Sequence, residues 1–182
     1  GGQRELATGT KDTRSEALRR LAECLTAREG EILAANRRDV EEGEASGLAG
    51  PLLSRLKLTP GKLQTLREGL NTLAASDDPV GRPLRRTTLD DGLVLTQVMS
   101  PIGVLLIIFE SRPDAVIQIG GLAIRSGNGV ILKGGREARN SNRILIDCIQ
   151  EALTAVGLDP SAVQGVEDRA SIAALLGLDH KI

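Results

Sequence analysis

The decisive stretch is Ile102-Gly103-Val104-Leu105-Leu106-Ile107-Ile108-Phe109-Glu110-Ser111-Arg112-Pro113, taken with Gly129-Val130-Ile131-Leu132-Lys133-Gly134-Gly135-Arg136. Each part is an unbroken apolar run that ends in polar residues and meets a helix start. A run without alternation predicts a strand buried on both faces, as in a parallel sheet. Pro113 opens the helix between the two runs, and Ser126-Gly127-Asn128 closes it. Beyond Arg136 a long helix carries Ile144, Leu145, Cys148, Ile149, Ala152, Leu153 and Val156 on one face. Ala162 to Val166 reads as a short third strand, and Asp168 as the cap of a helix bearing Ile172, Leu175 and Leu176. Strands alternating with helices predict an α/β fold, here part of a doubly wound parallel sheet with right-handed crossovers.

Upstream the period changes. Leu93-Val94-Leu95-Thr96-Gln97-Val98 and Arg85-Arg86-Thr87-Thr88-Leu89 flank Asp90-Asp91-Gly92, which predicts a β-hairpin with Gly92 in the turn. The first third reads as helices. Thr13-x-x-Glu16 and Thr26-x-x-Glu29 have the capping-box pattern, and Gly43 to Gly50 reads as a loop. Thr59-Pro60 predicts a third helix with the stripe Leu63, Leu66, Leu70 and Leu73, ended by Ser76-Asp77-Asp78-Pro79.

Composition narrows the function. The 182 residues are 41% hydrophobic, enough for a core, and carry 23 basic against 24 acidic side chains. A net charge of -1 gives no electrostatic basis for nucleic-acid binding, and one Phe with no Trp or Tyr gives no base-stacking platform. Two cysteines and one histidine (His180) leave no disulfide framework, no CxxC knuckle, no histidine-rich metal site and a poor basis for a Ser-His-Asp triad. No apolar run reaches membrane-spanning length. The start at Gly1-Gly2 without Met and the end at Ile182 read as a piece of a longer chain.

Ligands of parallel sheets bind beyond the carboxyl ends of the strands. Two such ends carry polar residues. At the second, Lys133 and Arg136 bracket Gly134-Gly135, two cations with a flexible backbone between them, which suits an anionic or hydroxylated ligand. The glycines would allow its close approach. The plain alternative is an ordinary turn with solvated cations. At the first, Arg112 suits a carboxylate or acyl phosphate, with Glu110 orienting it. The alternative there is an internal Glu110–Arg112 pair. Neither GxGxxG nor GxxxxGK[ST] is present. Cys148 lies on an apolar stripe and reads as a structural thiol, as does Cys24.

These motifs resemble a known family. Ser100 to Asp114 and Ser126 to Ala138, with Ser141-Asn142, look like the signature blocks of gamma-glutamyl phosphate reductase, in particular the reductase half of pyrroline-5-carboxylate synthase. Glu31-Ile-Leu-Ala-Ala-Asn-Arg-Arg-Asp39 resembles an N-terminal helix of the aldehyde dehydrogenase superfamily, and Val80 to Thr87 the entry into its hairpin. The resemblance implies NADPH-dependent reduction of L-glutamate 5-phosphate to glutamate 5-semialdehyde, on the way to proline, through a cysteine thioester. It implies that Lys133 reaches the adenine ribose and that Arg136, near a position where NAD-dependent relatives carry Glu, favours the 2′-phosphate. Phe109, Glu110 and Ser111 then line the nicotinamide side. Ser111 stands where many relatives have an oxyanion-hole Asn, so that side-chain role does not carry over.

By the same resemblance residues 1–83 are the helical part of the cofactor domain, 84–99 an oligomerisation hairpin that makes a homo-oligomer, and 100–182 the first half of the dinucleotide-binding sheet. Neither Cys24 nor Cys148 matches the family's catalytic cysteine, which is expected in a downstream domain, so the chain alone is expected to be inactive. Val166 to Asp179 looks like the helix before the next cofactor strand. The compartment is left open between the cytoplasm and, for an animal bifunctional synthase, the mitochondrion. Two other readings compete: a non-catalytic oligomerising piece, and part of an NAD-linked aldehyde dehydrogenase.

Overall fold

The computed structural model describes residues 1–167. The helix assigned after Asp168, His180 and most of the Val166–Asp179 segment lie outside the described residues.

The expected parallel sheet is present. Strands β3 (Val104–Ile108), β4 (Gly129–Lys133) and β5 (Val163–Gly165) lie in the order β3-β4-β5. Both pairings are parallel, with Val104 opposite Gly129 and Val130 opposite Val163. The crossovers are α6 (Asp114–Ser126) and α7 (Arg139–Ala155). Gly127, at φ 70°, ends α6 in the left-handed conformation that favours glycine. Both helices share one core with Val130 and Leu132 of β4, the arrangement that two right-handed crossovers in the same direction produce. Val130 and Leu132 of β4 are fully buried against that layer.

One expectation about β3 fails. Leu105, Ile107 and Phe109 pack on the core, but Ile102 and Ile108 are exposed. Among the described residues β3 is an edge strand, and its second face has no covering element. An unbroken apolar run signals two apolar faces, not that both are covered within the described residues.

The N-terminal helices are α1 (Gly2–Thr8), α2 (Lys11–Ala27), α3 (Glu29–Ala45), α4 (Gly50–Leu56) and α5 (Pro60–Ala75). They pack on the outer side of α6 and α7, so Leu18, Leu21 and Leu25 share one core with Ile117, Ile124, Leu145 and Ile149. Both proposed capping boxes are wrong. Thr10, not Thr13, caps α2, its hydroxyl accepting from Thr13 N at 3.1 Å. Thr26 lies in the last turn of α2 and donates back to Ala22 O at 3.0 Å. Ser, Thr and Glu occur in many helix interiors, so the pattern has little power without the backbone. Thr59 does cap α5, accepting from Lys62 N at 3.2 Å. The assigned Gly43–Gly50 loop is shorter: α3 runs on to Ala45, and the unanticipated α4 starts at Gly50. Gly43 lies within α3, and a side chain there would press on Leu53 and Leu48.

Two buried arginines knit this layer. Arg14 donates to Leu6 O at 2.9 Å and pairs with Asp78 at 2.6 Å. Arg125 donates to Ser15 Oγ at 2.9 Å and to Ser76 O. The hairpin of β1 (Pro83–Asp90) and β2 (Leu93–Val98) turns at Gly92, φ 75°, and projects from the body. Its Leu84, Leu89, Leu93, Val94, Leu95 and Val98 are all exposed. No helix among the described residues is long and apolar enough to cross a membrane, and none of their His, Cys, Asp and Glu side chains form a metal-holding group.

Candidate functional site

The carboxyl ends of β3 and β4 are adjacent because the strands pair in register, Ile108 opposite Lys133. Phe109 N continues the ladder to Lys133 O at 3.0 Å. The structure therefore brings Phe109, Glu110, Ser111 and Arg112 beside Lys133, Gly134, Gly135 and Arg136.

Within this cluster the side chains differ. Lys133 is half-buried and its Nζ donates to Gly134 O at 2.7 Å. Arg136 is exposed and makes no hydrogen bond or ion pair among the described residues. Glu110 is exposed and does not pair with Arg112. The partner of Arg112 is Asp114, at 3.1 Å, so the internal Glu–Arg pair weighed from the sequence does not form.

Ser111 is 2% exposed and has φ 51°, the one non-glycine residue with positive φ among those described. Its N–H and its Oγ both donate to Glu137 Oε1, at 2.6 and 2.8 Å. The left-handed backbone costs roughly 1–2 kcal/mol. Hydrogen bonds to a charged acceptor contribute about 1.5–3 kcal/mol each, so the carboxylate more than offsets the strain. The Ser111 hydroxyl is committed here.

The glycine pair is closely approached from within the chain. A Cβ on Gly135 would collide with the Glu137 carboxylate, and one on Gly134 with the Asn142 amide. The groups that approach the glycines are side chains of this chain, and the absence of Cβ atoms lets Glu137 fold back across the turn to Ser111.

Below the turn, α7 is anchored by residues of the Glu31–Asp39 and Ser141-Asn142 stretches whose pairing the sequence does not announce. Asp39 is 1% exposed on α3. Its Oδ1 accepts from Asn140 N and Nδ2 at 3.1 and 2.8 Å, its Oδ2 from Ser141 N and Oγ at 2.7 and 2.6 Å. A carboxylate at a helix start also meets the positive end of the helix dipole. Asn36, one turn earlier, donates to Leu56 O and Ser141 Oγ and accepts from Leu58 N. The available signal was Asn36 and Asp39 on the otherwise apolar face of Ile32 and Ala35.

A cleft of about 240 Å³ opens beside the turn, lined in part by Phe109, Gly134, Asn142, Ile146 and Gly165. Asn142 is buried, and its Oδ1 has no hydrogen-bond partner among the described residues. A buried acceptor without a partner is costly unless a ligand or water completes it.

The cysteines are elsewhere. Cys148 is fully buried, as expected, whereas Cys24 is half-buried and donates to Glu151 Oε2 at 3.4 Å. Burial pushes both thiols up, Cys148 far above the usual value; Cys24 also lies within hydrogen-bonding reach of Cys148. A thiol kept protonated is no nucleophile.

No family model matches the chain. Curated relatives do. It is 45% identical over 177 residues to gamma-glutamyl phosphate reductase of Acetivibrio thermocellus, covering 97% of this chain and 41% of that protein. It is 45% identical over 184 residues to delta-1-pyrroline-5-carboxylate synthase A of Arabidopsis thaliana, covering 98% of this chain and 25% of that one. The crystal structure of the Thermotoga maritima gamma-glutamyl phosphate reductase superposes with a TM-score of 0.91 at 34% identity, over 96% of this chain and 43% of the other. A methylmalonate-semialdehyde dehydrogenase from Oceanimonas doudoroffii, 19% identical with a TM-score of 0.71, shares the fold. The chain spans about two fifths of the curated reductases it matches. The resemblance to gamma-glutamyl phosphate reductase, and to the aldehyde dehydrogenase fold, thus stands along nearly the whole sequence.

Proposed function

We propose, from that likeness, that this chain is the cofactor-domain part of an NADPH-dependent reductase converting L-glutamate 5-phosphate to L-glutamate 5-semialdehyde in proline biosynthesis. The observation that carries the reading is the joined pair of strand ends, two cations at β4 and an arginine after β3, within a chain so similar to gamma-glutamyl phosphate reductases.

In this reading Lys133 binds the adenine ribose hydroxyls and Arg136 the 2′-phosphate of the cofactor. The residues suit such a group: two cations stand at a strand end, and the buried Asn142 Oδ1 lacks a partner among the described residues beside an open cleft. The cleft is smaller than the roughly 300–1,000 Å³ of whole small-molecule sites, which fits one end of a dinucleotide. A bound nicotinamide supplies the hydride. The backbone of Phe109, Glu110 and Ser111 lines its side of the site, and Arg112, released from Asp114, holds the acyl phosphate or carboxylate of the substrate. The nucleophile is neither Cys24 nor Cys148, whose thiols are held protonated on helices. Residues 1–83 and 100–182 together form the cofactor domain, and 84–99 form the arm through which copies associate.

The test is direct. Purified full-length protein should oxidise NADPH when given glutamate 5-phosphate generated in place by a glutamate kinase. It should also reduce NADP when given pyrroline-5-carboxylate and phosphate. Absence of both activities overturns the reading. The same assays on residues 1–182 should give background rates, and turnover abolished by Cys148→Ala would overturn the account of the thiols.

A further inference from the structure

Glu137 is the residue on which the two strand-end loops converge, and the family resemblance assigns it nothing. One carboxylate oxygen takes both donors of Ser111, 26 residues away in sequence. Both ends of the contact are built for it. Gly135 lacks the Cβ that would block the carboxylate's path, and Ser111 holds a left-handed backbone that a serine adopts only when its surroundings impose it. Ser111 is flanked by Glu110 and Arg112, and Glu137 directly follows Arg136. We propose that Glu137 is a positioning residue that locks the Arg112 loop to the Lys133–Arg136 turn, so that the substrate-facing and cofactor-facing loops move as one unit. The inference rests on the function proposed above for these loops.

Without the lock, Ser111 loses the partner that offsets its strain and relaxes toward an ordinary backbone, carrying Arg112 with it. The consequence should fall on the substrate more than on the cofactor, because Lys133 and Arg136 keep their strand and helix attachments. Misplacement of a positioning group by an ångström costs up to about a hundred-fold. Glu137→Ala in the full-length protein should therefore raise KM for glutamate 5-phosphate by about ten-fold or more. Its dissociation constant for NADPH, measured by calorimetry, should change by less than about three-fold, under 1 kcal/mol.

Two further measurements separate positioning from mere loss of structure. Amide hydrogen exchange at Ser111 should accelerate in Glu137→Ala without acceleration in the α7 core. Glu137→Gln keeps a side-chain oxygen able to accept from the Ser111 N–H and hydroxyl, and should rescue the defect. Its KM for glutamate 5-phosphate should return most of the way to that of the unmodified protein. Unchanged exchange at Ser111 in Glu137→Ala, or a Glu137→Gln variant as impaired as Glu137→Ala, overturns the inference. If the unmodified protein binds nucleotide but never turns over glutamate 5-phosphate, the functional reading falls. The lock is then judged by exchange at Ser111, fast in Glu137→Ala and slow again in Glu137→Gln.

Discussion

Asp39 and Ser141 are 102 residues apart, yet Asp39 Oδ2 accepts both the Ser141 N–H, at 2.7 Å, and the Ser141 hydroxyl, at 2.6 Å. This contact binds the helical N-terminal third to the first turn of α7, immediately after the Lys133–Arg136 turn. Asp39→Ala would leave the buried donors of Ser141 and Asn140 unpaired. We expect a loss of about 3 kcal/mol in urea denaturation of the full-length protein. Asp39→Asn retains one acceptor but sets an NH₂ group against donors, and should cost nearly as much. A loss below about 0.5 kcal/mol, the range of ordinary surface changes, would show that the contact is dispensable.

Cofactor choice is tested at the turn. Arg136→Ala should weaken NADPH about ten- to a hundred-fold, the equivalent of one charge-assisted phosphate contact, and leave NADH nearly unaffected. Lys133→Ala should weaken both, because a ribose hydroxyl is common to them. Calorimetric titration of both nucleotides into the full-length protein decides it. An equal loss for the two cofactors in Arg136→Ala would mean that the arginine does not read the 2′-phosphate.

The hairpin offers a solution test. Leu93 and Leu95 are 56% and 58% exposed and alternate with Val94 and Thr96, so one face of β2 presents leucine twice. Exposed apolar strands seek partners. Leu93→Lys with Leu95→Lys should shift the full-length protein to a smaller species in sedimentation analysis. The same sedimentation coefficient in an oligomeric parent and the variant would remove the hairpin from the interface.

The buried thiol of Cys148 makes stability depend on pH in one direction. Its pKa is raised far above the usual 9.0, chiefly by burial. Above pH 9.0 the unfolded chain has released this proton while the folded chain keeps it. The folded state then binds more protons, and stability falls as pH rises, by up to about 1.4 kcal/mol per pH unit from this group. Cys148→Ala lowers stability overall by opening a cavity, but its denaturation midpoint should fall less steeply between about pH 9 and 10.5. Parallel slopes for parent and variant would contradict the assignment.

Much of the fold was legible because it depends on local periodicity. The apolar runs around Val104 and Val130, the α7 stripe and the Asp90-Asp91-Gly92 turn are properties of neighbours in sequence, and each element stands where its pattern predicts. The caps were less legible, since Thr13 and Thr26 satisfy the same short pattern as a true cap. The strand-end cluster followed from topology: parallel strands in register must bring the residues after Phe109 beside those after Lys133.

By itself, then, the sequence determined the order of elements, the parallel sheet, the aliphatic core and the cations at its edge. Tertiary structure alone decided what the polar residues do. Glu137, Asn142, Asn36 and Asp39 each act on residues brought near by folding, across separations with no period and no motif. The glycines at 134 and 135 illustrate the difference. Their need for open space was visible in the sequence, but the occupants, a carboxylate and an amide of the same chain, were set by the packing of α3, α7 and the two loops. Periodic burial is written in neighbouring residues; the pairing of isolated buried polar groups depends on three-dimensional distance, which only the folded chain specifies.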